Sequence, residues 1–231
     1  MLLYSFTQSL SGTSVVIVRT PQRVVIAADS LGKLNGKSVN MCKIVTHPRF
    51  STVFAMAGIA TTSRRFSAFD LAKSAIAINY GKMRATVEWF ESKATIRIKT
   101  EMQRMRKEDP SEYKQALNRP EPFQIAFIGW DENIPTFTTI AFSLQESAGK
   151  VRVAYKESRC PGEGCPSGFT VTPLGANEAI VTALRSLRLL DYDLNANGCT
   201  IGQTGNYRKA GHRWATNLRS CNRLQRHSLG Q

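Results

Sequence analysis

The stretch Gly12–Ser30, which reads GTSVVIVRTPQRVVIAADS, decides the fold of this chain. It holds two short β-branched runs, Val15–Val18 and Val24–Ala28, separated by a Pro-containing turn at Thr20–Gln22. Two such runs around a turn predict a β-hairpin. Both runs are apolar without clean alternation, so we expect both faces of the hairpin to be covered. Hydroxyl side chains (Thr13, Ser14) stand at one end of this stretch and the carboxylate of Asp29 at the other. We therefore expect functional groups at the open edge of the hairpin.

Outside the hairpin, strand-like and helix-like patterns occur in separate blocks. Strand patterns lie at 38–46, 50–57, 123–130, 136–144, 150–156 and 169–172, and helical periodicity lies at 66–78, 83–106 and 177–190. A Gly-rich turn is expected at 31–36, and Asp109-Pro110 should interrupt the second helix. Segregated strands and helices indicate an α+β fold rather than a parallel βαβ arrangement.

The charge of the chain is unevenly distributed. Its net charge is +14, and residues 197–231 contain six basic residues and no acidic one. This segment has no sustained apolar period, so we expect a basic irregular tail, and the abrupt change suggests a shifted reading frame or a truncated last strand. An excess of basic over acidic residues favours anionic partners. No basic motif interleaved with aromatic residues is present, so nucleic acid is not expected as a partner.

Cysteine spacing and hydropathy add further constraints. Cys160 and Cys165 enclose Pro-Gly-Glu-Gly, which leaves three interpretations open: a loop with two thiols, a loop disulfide, or part of a metal site. No apolar run reaches the length of a membrane span, and residues 1–12 lack the basic start of a signal peptide. We therefore expect no membrane association and a cytoplasmic protein, with export as the alternative if the true start lies upstream.

Four short motifs, in this order and at nearly the family's spacing, resemble the proteasome β-subunit family of N-terminal nucleophile (Ntn) hydrolases; the interval between Asp29 and Lys43 is two residues shorter than usual in that family. They are Gly12-Thr13-Ser14-Val15-Val16, Val24-Val25-Ile26-Ala27-Ala28-Asp29-Ser30, Cys42-Lys43-Ile44 and Met56-Ala57-Gly58. The resemblance covers about residues 13–190 and implies a four-layer αββα sandwich of two antiparallel sheets flanked by helices. It divides the chain into a propeptide-like segment (1–12), an Ntn-hydrolase domain (13–196) and the tail (197–231).

The family also implies a role for each matching residue. A propeptide is cut off autocatalytically before a threonine that then acts through its own α-amine, and Thr13 after Gly12 matches. A threonine hydroxyl needs a base, and an α-amine with a pKa near ~8 is partly neutral at physiological pH and can take the proton. The resemblance assigns Lys43 to stabilise negative charge at the hydroxyl oxygen and Asp29 to hold that lysine. It assigns the N–H of Gly58 to bind the tetrahedral oxyanion.

The resemblance implies a threonine-type endopeptidase or amidase that needs no cofactor and takes a peptide or amide substrate. It also implies a homo-oligomer, with a ring as one arrangement. Two departures favour an alternative, a catalytically inactive structural or binding relative of the same fold. Leu174-Gly175-Ala176 stands where the family has a serine before the last helix, and the family's later Asp with a following Ser has no counterpart in the tail. A second alternative is a basic protein that binds an anionic polymer through its tail.

Each candidate residue also has a purely structural interpretation. Thr13 could start a strand, and Gly58 could form a strand-to-helix turn. Asp29 could cap a turn, and Lys43 could be a solvated charge at a strand edge. If Lys43 lies within the predicted strand 38–46, alternation places it on the opposite face from its two neighbours, and therefore in the cleft if they face the core.

Overall fold

The computed structural model shows a mixed α+β protein, and in the part of the chain that it describes there are two larger antiparallel sheets and three helices. It describes residues 14–34, 37–40, 42–59, 61–62, 66–163, 165 and 168–175. The α+β class predicted from the sequence is confirmed. The propeptide-like segment with Thr13, the predicted helix at 177–190 and the basic tail at 197–231 lie outside the described residues.

The elements follow the chain in three blocks: strands, helices and strands again. The strands are β1 (Ser14–Thr20), β2 (Arg23–Ala28), β3 (Leu31–Leu34), β4 (Lys37–Asn40), β5 (Ile44–Thr46), β6 (Val53–Gly58), β7 (Thr61–Thr62), β8 (Phe66–Ser67), β9 (Phe123–Asp131), β10 (Ile134–Ser147), β11 (Lys150–Cys160) and β12 (Thr170–Gly175). The helices are α1 (Ala68–Ile78), α2 (Met83–Glu108) and α3 (Pro110–Leu117).

The predicted hairpin at the start of the chain is present as β1 and β2. The two strands pair in antiparallel register with Val15 opposite Ala28. The other edge of β1 pairs with β12, which places Ser14 opposite Gly175. The sheet has the order β12-β1-β2, so the first and last described strands are neighbours in space.

The second sheet has five antiparallel strands in the order β11-β10-β9-β6-β5. Its last three strands in chain order lie where the sequence predicts them. The strand predicted at 50–57 begins only at Val53, because residues 48–51 form a turn and a bend. This sheet is wider than the first and therefore supplies the surface on which the other layers pack.

Two predictions for the segment between β2 and β5 are wrong. The predicted turn at 31–36 is replaced by a strand pair, β3 with β4. The dipeptide Asn35-Gly36 is one that two-residue hairpin turns prefer, which accounts for the pair. The predicted strand 38–46 is interrupted between β4 and β5. Lys43 lies in that interruption, so strand alternation does not set the direction of its side chain.

The helices begin and end at identifiable capping residues. Ser67 starts α1, because its Oγ accepts a hydrogen bond from the backbone N–H of Asp70 at 3.2 Å. Asp109-Pro110 ends α2 as predicted. Asp109 also caps α3, a helix that the sequence does not predict, by accepting from Glu112 N–H at 3.0 Å. Among the described helices, none is long and apolar enough to cross a membrane.

The five-stranded sheet is apolar on both faces. Along β9, Phe123, Ile125 and Phe127 pack on the helices, whereas Ala126 and Ile128 pack against the inner face of β1 and β12. This alternation follows from the two-residue period of a strand. The described residues therefore form three layers: the three-stranded sheet, the five-stranded sheet and the helices.

One acidic side chain is buried between α2 and β11. Glu91 is 5% exposed, and its Oε1 has no hydrogen-bond partner in the described part of the chain. Burial, with smaller contributions from the nearby Glu157 and Glu88 carboxylates, raises the pKa of Glu91 to about 7, while a hydrogen bond with the Tyr155 hydroxyl acts in the opposite direction. Ionised Glu91 therefore destabilises the contact between this helix and this strand.

We predict that Glu91→Gln stabilises the protein at pH 8 much more than at pH 5. The pKa of Glu91 is raised from the ordinary value of 4.5 to about 7 in the folded state. The buried carboxyl group therefore lowers the free energy of unfolding increasingly as pH rises from 4.5 to about 7, and the loss is constant above that range. The gain at pH 8 should reach at most about 3 kcal/mol, since one pKa unit corresponds to ~1.4 kcal/mol. Urea unfolding at both pH values measures it, with Glu132→Gln, at an exposed position between β9 and β10, as control. Equal effects of Glu91→Gln at both pH values would contradict a raised pKa.

Candidate active site

The predicted site residues Asp29 and Lys43 meet at one end of the two sheets. Asp29 directly follows β2, and Lys43 directly precedes β5. The Nζ of Lys43 donates a hydrogen bond to Oδ1 of Asp29 and forms a salt bridge with it. One strand end of the three-stranded sheet is thereby linked to one strand end of the five-stranded sheet.

The lysine of this pair is buried. Lys43 is 3% exposed, whereas about a third of the Asp29 side chain, 34%, remains accessible. A buried ammonium group is tolerated only with a charged partner and further hydrogen bonds. This burial excludes the interpretation of Lys43 as a solvated charge at a strand edge. It also places a fixed positive charge where water competes little for its field.

The second oxygen of the Asp29 carboxylate binds the start of β1. The backbone N–H of Ser14 donates to Oδ2 of Asp29, and the N–H of Asp29 donates to the carbonyl oxygen of Ser14 at 3.0 Å. The N–H of Ser14 belongs to the peptide bond that joins this residue to Thr13. Because both partners of the carboxylate are distant in sequence, Asp29 is not a local turn cap.

Gly58 ends β6 and has a packing requirement of its own. Its φ is +81°, and a Cβ placed on it would lie 2.2 Å from the carbonyl oxygen of Pro122. The next residue, Ile59, donates its N–H to the same oxygen at 2.8 Å. A side chain is therefore excluded by the turn itself, as the structural interpretation expects. The role of the Gly58 N–H toward an oxyanion stays a prediction.

A polar group that sequence reasoning missed lies on the neighbouring strands at the same end of the sheets. Gly175, the last residue of β12, donates its N–H to Oε1 of Gln124 on β9 at 2.6 Å. The Nε2 of Gln124 donates to Oε2 of Glu121. Gln124 was the one strongly polar side chain in the apolar run 123–130, and that contrast could have singled it out.

The cysteine pair is remote from this end. Cys160 and Cys165 form a disulfide with Cα atoms 5.4 Å apart, so the loop disulfide is the interpretation that the structure contains. Cys160 lies opposite Phe137, which pairs with Ile128 near the other end of β9 from Gln124. Within the described ranges, no group of three or more His, Cys, Asp or Glu side chains is arranged to hold a metal ion.

Taken together, these contacts surround the start of β1 with a buried cation, its carboxylate and a polar amide. The cation can stabilise negative charge that develops nearby during acyl transfer, and the carboxylate prevents the lysine from turning away. The Asp29 carboxylate uses one oxygen for the cation and the other for the Ser14 N–H. The arrangement is therefore suited to a nucleophile attached directly before Ser14.

We predict that Gly58→Ala destabilises the protein by about 3 kcal/mol or more, because a backbone oxygen occupies the space of the added methyl group. Gly149→Ala is the matched control. Gly149 also has a positive φ, +72°, but its Cβ would meet only the flexible Arg106 side chain, at 3.4 Å, so the conformational cost should be about 1 kcal/mol. Chemical denaturation of both variants measures the difference, and equal losses would show that the contact with Pro122 is unimportant.

Comparison with known proteins does not assign a family to this geometry. No protein-family model matches the chain, and no curated protein matches it. A functional assignment therefore depends on the residues of this chain and on their arrangement.

Proposed function

We propose that the protein is a threonine-nucleophile amide hydrolase that becomes active by cleavage between Gly12 and Thr13. The observation that carries the proposal is the Asp29 carboxylate, which joins buried Lys43 to the amide of Ser14. Burying the charge of a lysine costs free energy, so a lysine that has no catalytic role is more often found at the surface. Here the charge lies beside the backbone that follows the predicted nucleophile.

In the first step, the hydroxyl of Thr13 attacks the carbonyl carbon of Gly12. The new C–O bond forms, the Gly12–Thr13 C–N bond breaks and the nitrogen takes up the proton, which yields an ester and a free α-amine. Water then hydrolyses the ester and releases residues 1–12. Lys43 contributes by stabilising the negative charge that develops on oxygen during the attack.

In the second step, the α-amine of Thr13 accepts the hydroxyl proton while Oγ attacks the carbonyl carbon of a peptide or amide substrate. The leaving amine takes the proton when the C–N bond breaks, and water hydrolyses the resulting acyl ester. Gly58 donates its backbone N–H to the tetrahedral oxyanion in this proposal, in addition to its packing against Pro122.

The proposal extends to the fold. The outer face of the three-stranded sheet carries Val16, Val18 and Val25, and Val25 is 45% exposed. We propose that the predicted helix at 177–190, with its apolar face of Ile180, Val181, Leu184, Leu187 and Leu190, covers this surface as a fourth layer. The resulting αββα sandwich would assemble into homo-oligomers.

A second candidate function has its own support. The segment Leu174-Gly175-Ala176 stands where the resembled family has a serine, and within it Gly175 binds Gln124 through its backbone and has no hydroxyl group. The close approach of the Pro122 carbonyl oxygen is a sufficient reason for glycine at position 58, without any catalytic role. In an inactive relative, the Asp29–Lys43 pair would serve only to hold the sheets together, and residues 1–12 would remain attached.

We predict that the wild-type protein yields a species that begins at Thr13, and that Thr13→Ala and Lys43→Met do not on the same time scale. A methyl group cannot attack the Gly12 carbonyl, and loss of one stabilising charge should slow cleavage by about 100-fold or more. Intact mass spectrometry of the purified proteins over time measures the rates. Lys73→Met, at an exposed position of α1, is the matched control and should process like wild type.

Two results would overturn the hydrolase proposal in favour of the inactive relative. One is a folded wild-type protein that keeps residues 1–12 throughout. The other is unchanged cleavage in Thr13→Ala, which would show that another protease removes the segment. Circular dichroism of Lys43→Met separates a catalytic loss from unfolding, because removal of the cation leaves the partly accessible Asp29 side chain able to hydrate.

A further inference from the structure

We infer that Gln124 is a positioning residue for the proposed hydrolase, because it fastens the end of β12 to the five-stranded sheet beside Ser14. The inference rests on the proposed function. Its central contact is the hydrogen bond from Gly175 N–H to Gln124 Oε1, at 2.6 Å. Gly175 lies directly opposite Ser14 in the β1–β12 register, so this contact reaches the start of β1 through one strand pair.

The orientation of the Gln124 amide is itself determined. Its Nε2 donates to Oε2 of Glu121, which leaves Oε1 to accept from Gly175. A primary amide combines a donor and an acceptor in one planar group, and both are used here. A carboxylate at this position would accept from Gly175 but would meet Glu121 as a like charge, and a thioether has no donor for Glu121 and is only a weak acceptor for Gly175 N–H.

Ser14 is therefore held from both flanks. On the β2 side, Asp29 binds Ser14 and is anchored to Lys43 in the other sheet. On the β12 side, Gly175 pairs with Ser14 and is anchored to Gln124 in that same sheet. Two links at this end set the separation of the sheets beside Ser14, and the other end of β1 is held separately by the hydrogen bond from Arg19 Nε to the carbonyl oxygen of Pro135.

The consequence concerns the residue joined to Ser14. A nucleophile must lie within a narrow range of distances and angles to attack, and a displacement of about 1 Å can cost on the order of 100-fold in rate. Loss of the Gly175–Gln124 link should shift β1 relative to Lys43 without removing any reacting group. Gln124 thus acts through Gly175 and Ser14 and does not itself touch the reacting atoms.

A β-lactone probe tests this inference without knowledge of the substrate. The Thr13 hydroxyl adds to the lactone carbonyl, the ring C–O bond breaks and the ring oxygen takes the proton, so the protein gains the mass of the probe. We expect Gln124→Met to lower the acylation rate constant by about tenfold or more, with the probe concentration for half-maximal rate unchanged and the melting temperature within a few degrees of wild type. Gln145→Met, at an exposed position of β10, should react like wild type.

A rescue experiment separates positioning from general stability. Gln124→Glu should also react slowly, because the introduced carboxylate repels Glu121. The double variant Glu121→Gln/Gln124→Glu exchanges the two groups, so the introduced amide can donate to the introduced carboxylate while the carboxylate still accepts from Gly175 N–H. We expect this exchange to restore most of the acylation rate, which a role limited to bulk packing would not produce.

The outcomes distinguish the two proposals. If wild type reacts and Gln124→Met reacts equally fast, or if the double variant is no faster than Gln124→Glu, the inference is overturned and the hydrolase proposal stands. If wild type neither reacts nor forms a Thr13 terminus, the hydrolase proposal fails. Backbone hydrogen exchange of β12 then tests the Gly175–Gln124 hydrogen bond directly. Faster exchange at Gly175 in Gln124→Met supports the bond, and unchanged exchange overturns it.

Discussion

The buried ammonium group of Lys43 sets the arrangement of the two sheets at the end where β1 begins. Lys43 is withdrawn from water and depends on Asp29 for compensation. Asp29 can face Lys43 only because the β1–β2 hairpin ends at that point, and its second oxygen is occupied by the N–H of Ser14. Hairpin register, sheet packing and the position of the start of β1 are therefore coupled through one carboxylate.

The backbone at Lys43, directly before β5, is not part of a regular strand, although its carbonyl oxygen still accepts a hydrogen bond from Met56 N–H at 3.4 Å. A lysine within a regular strand would be directed by the pleat, and its neighbours Ile44 and Val45 pack into different apolar clusters on the two faces of the sheet. The interruption between β4 and β5 frees Lys43 from that constraint and lets its Nζ reach Asp29 in the opposite sheet. The irregular backbone and the ion pair therefore occur at the same residue.

Hydrophobic periodicity predicted the long elements well. The apolar runs of β1 and β2 and the three- and four-residue spacing in α2 mark elements whose own sequence carries the signal. The short elements were missed, since β3 and α3 have little apolar pattern, and α3 begins at a local capping residue, Asp109. Asp29 and Lys43 were predicted together from a resemblance, whereas Gln124 was not, because its partner Gly175 is 51 residues away in sequence and becomes a neighbour only after the sheets pack.

The pairing of β1 with β12 has a temporal consequence. Ser14 emerges from the ribosome early, but its strand partner Gly175 is made only after the five-stranded sheet and the helices. Contacts between such distant segments form late, since most of the intervening chain must be ordered before they can stabilise the fold. The end of the molecule that holds Asp29 and Lys43 is therefore complete only after β12 has been made, and a nascent chain lacks the full set of contacts around Ser14 until then.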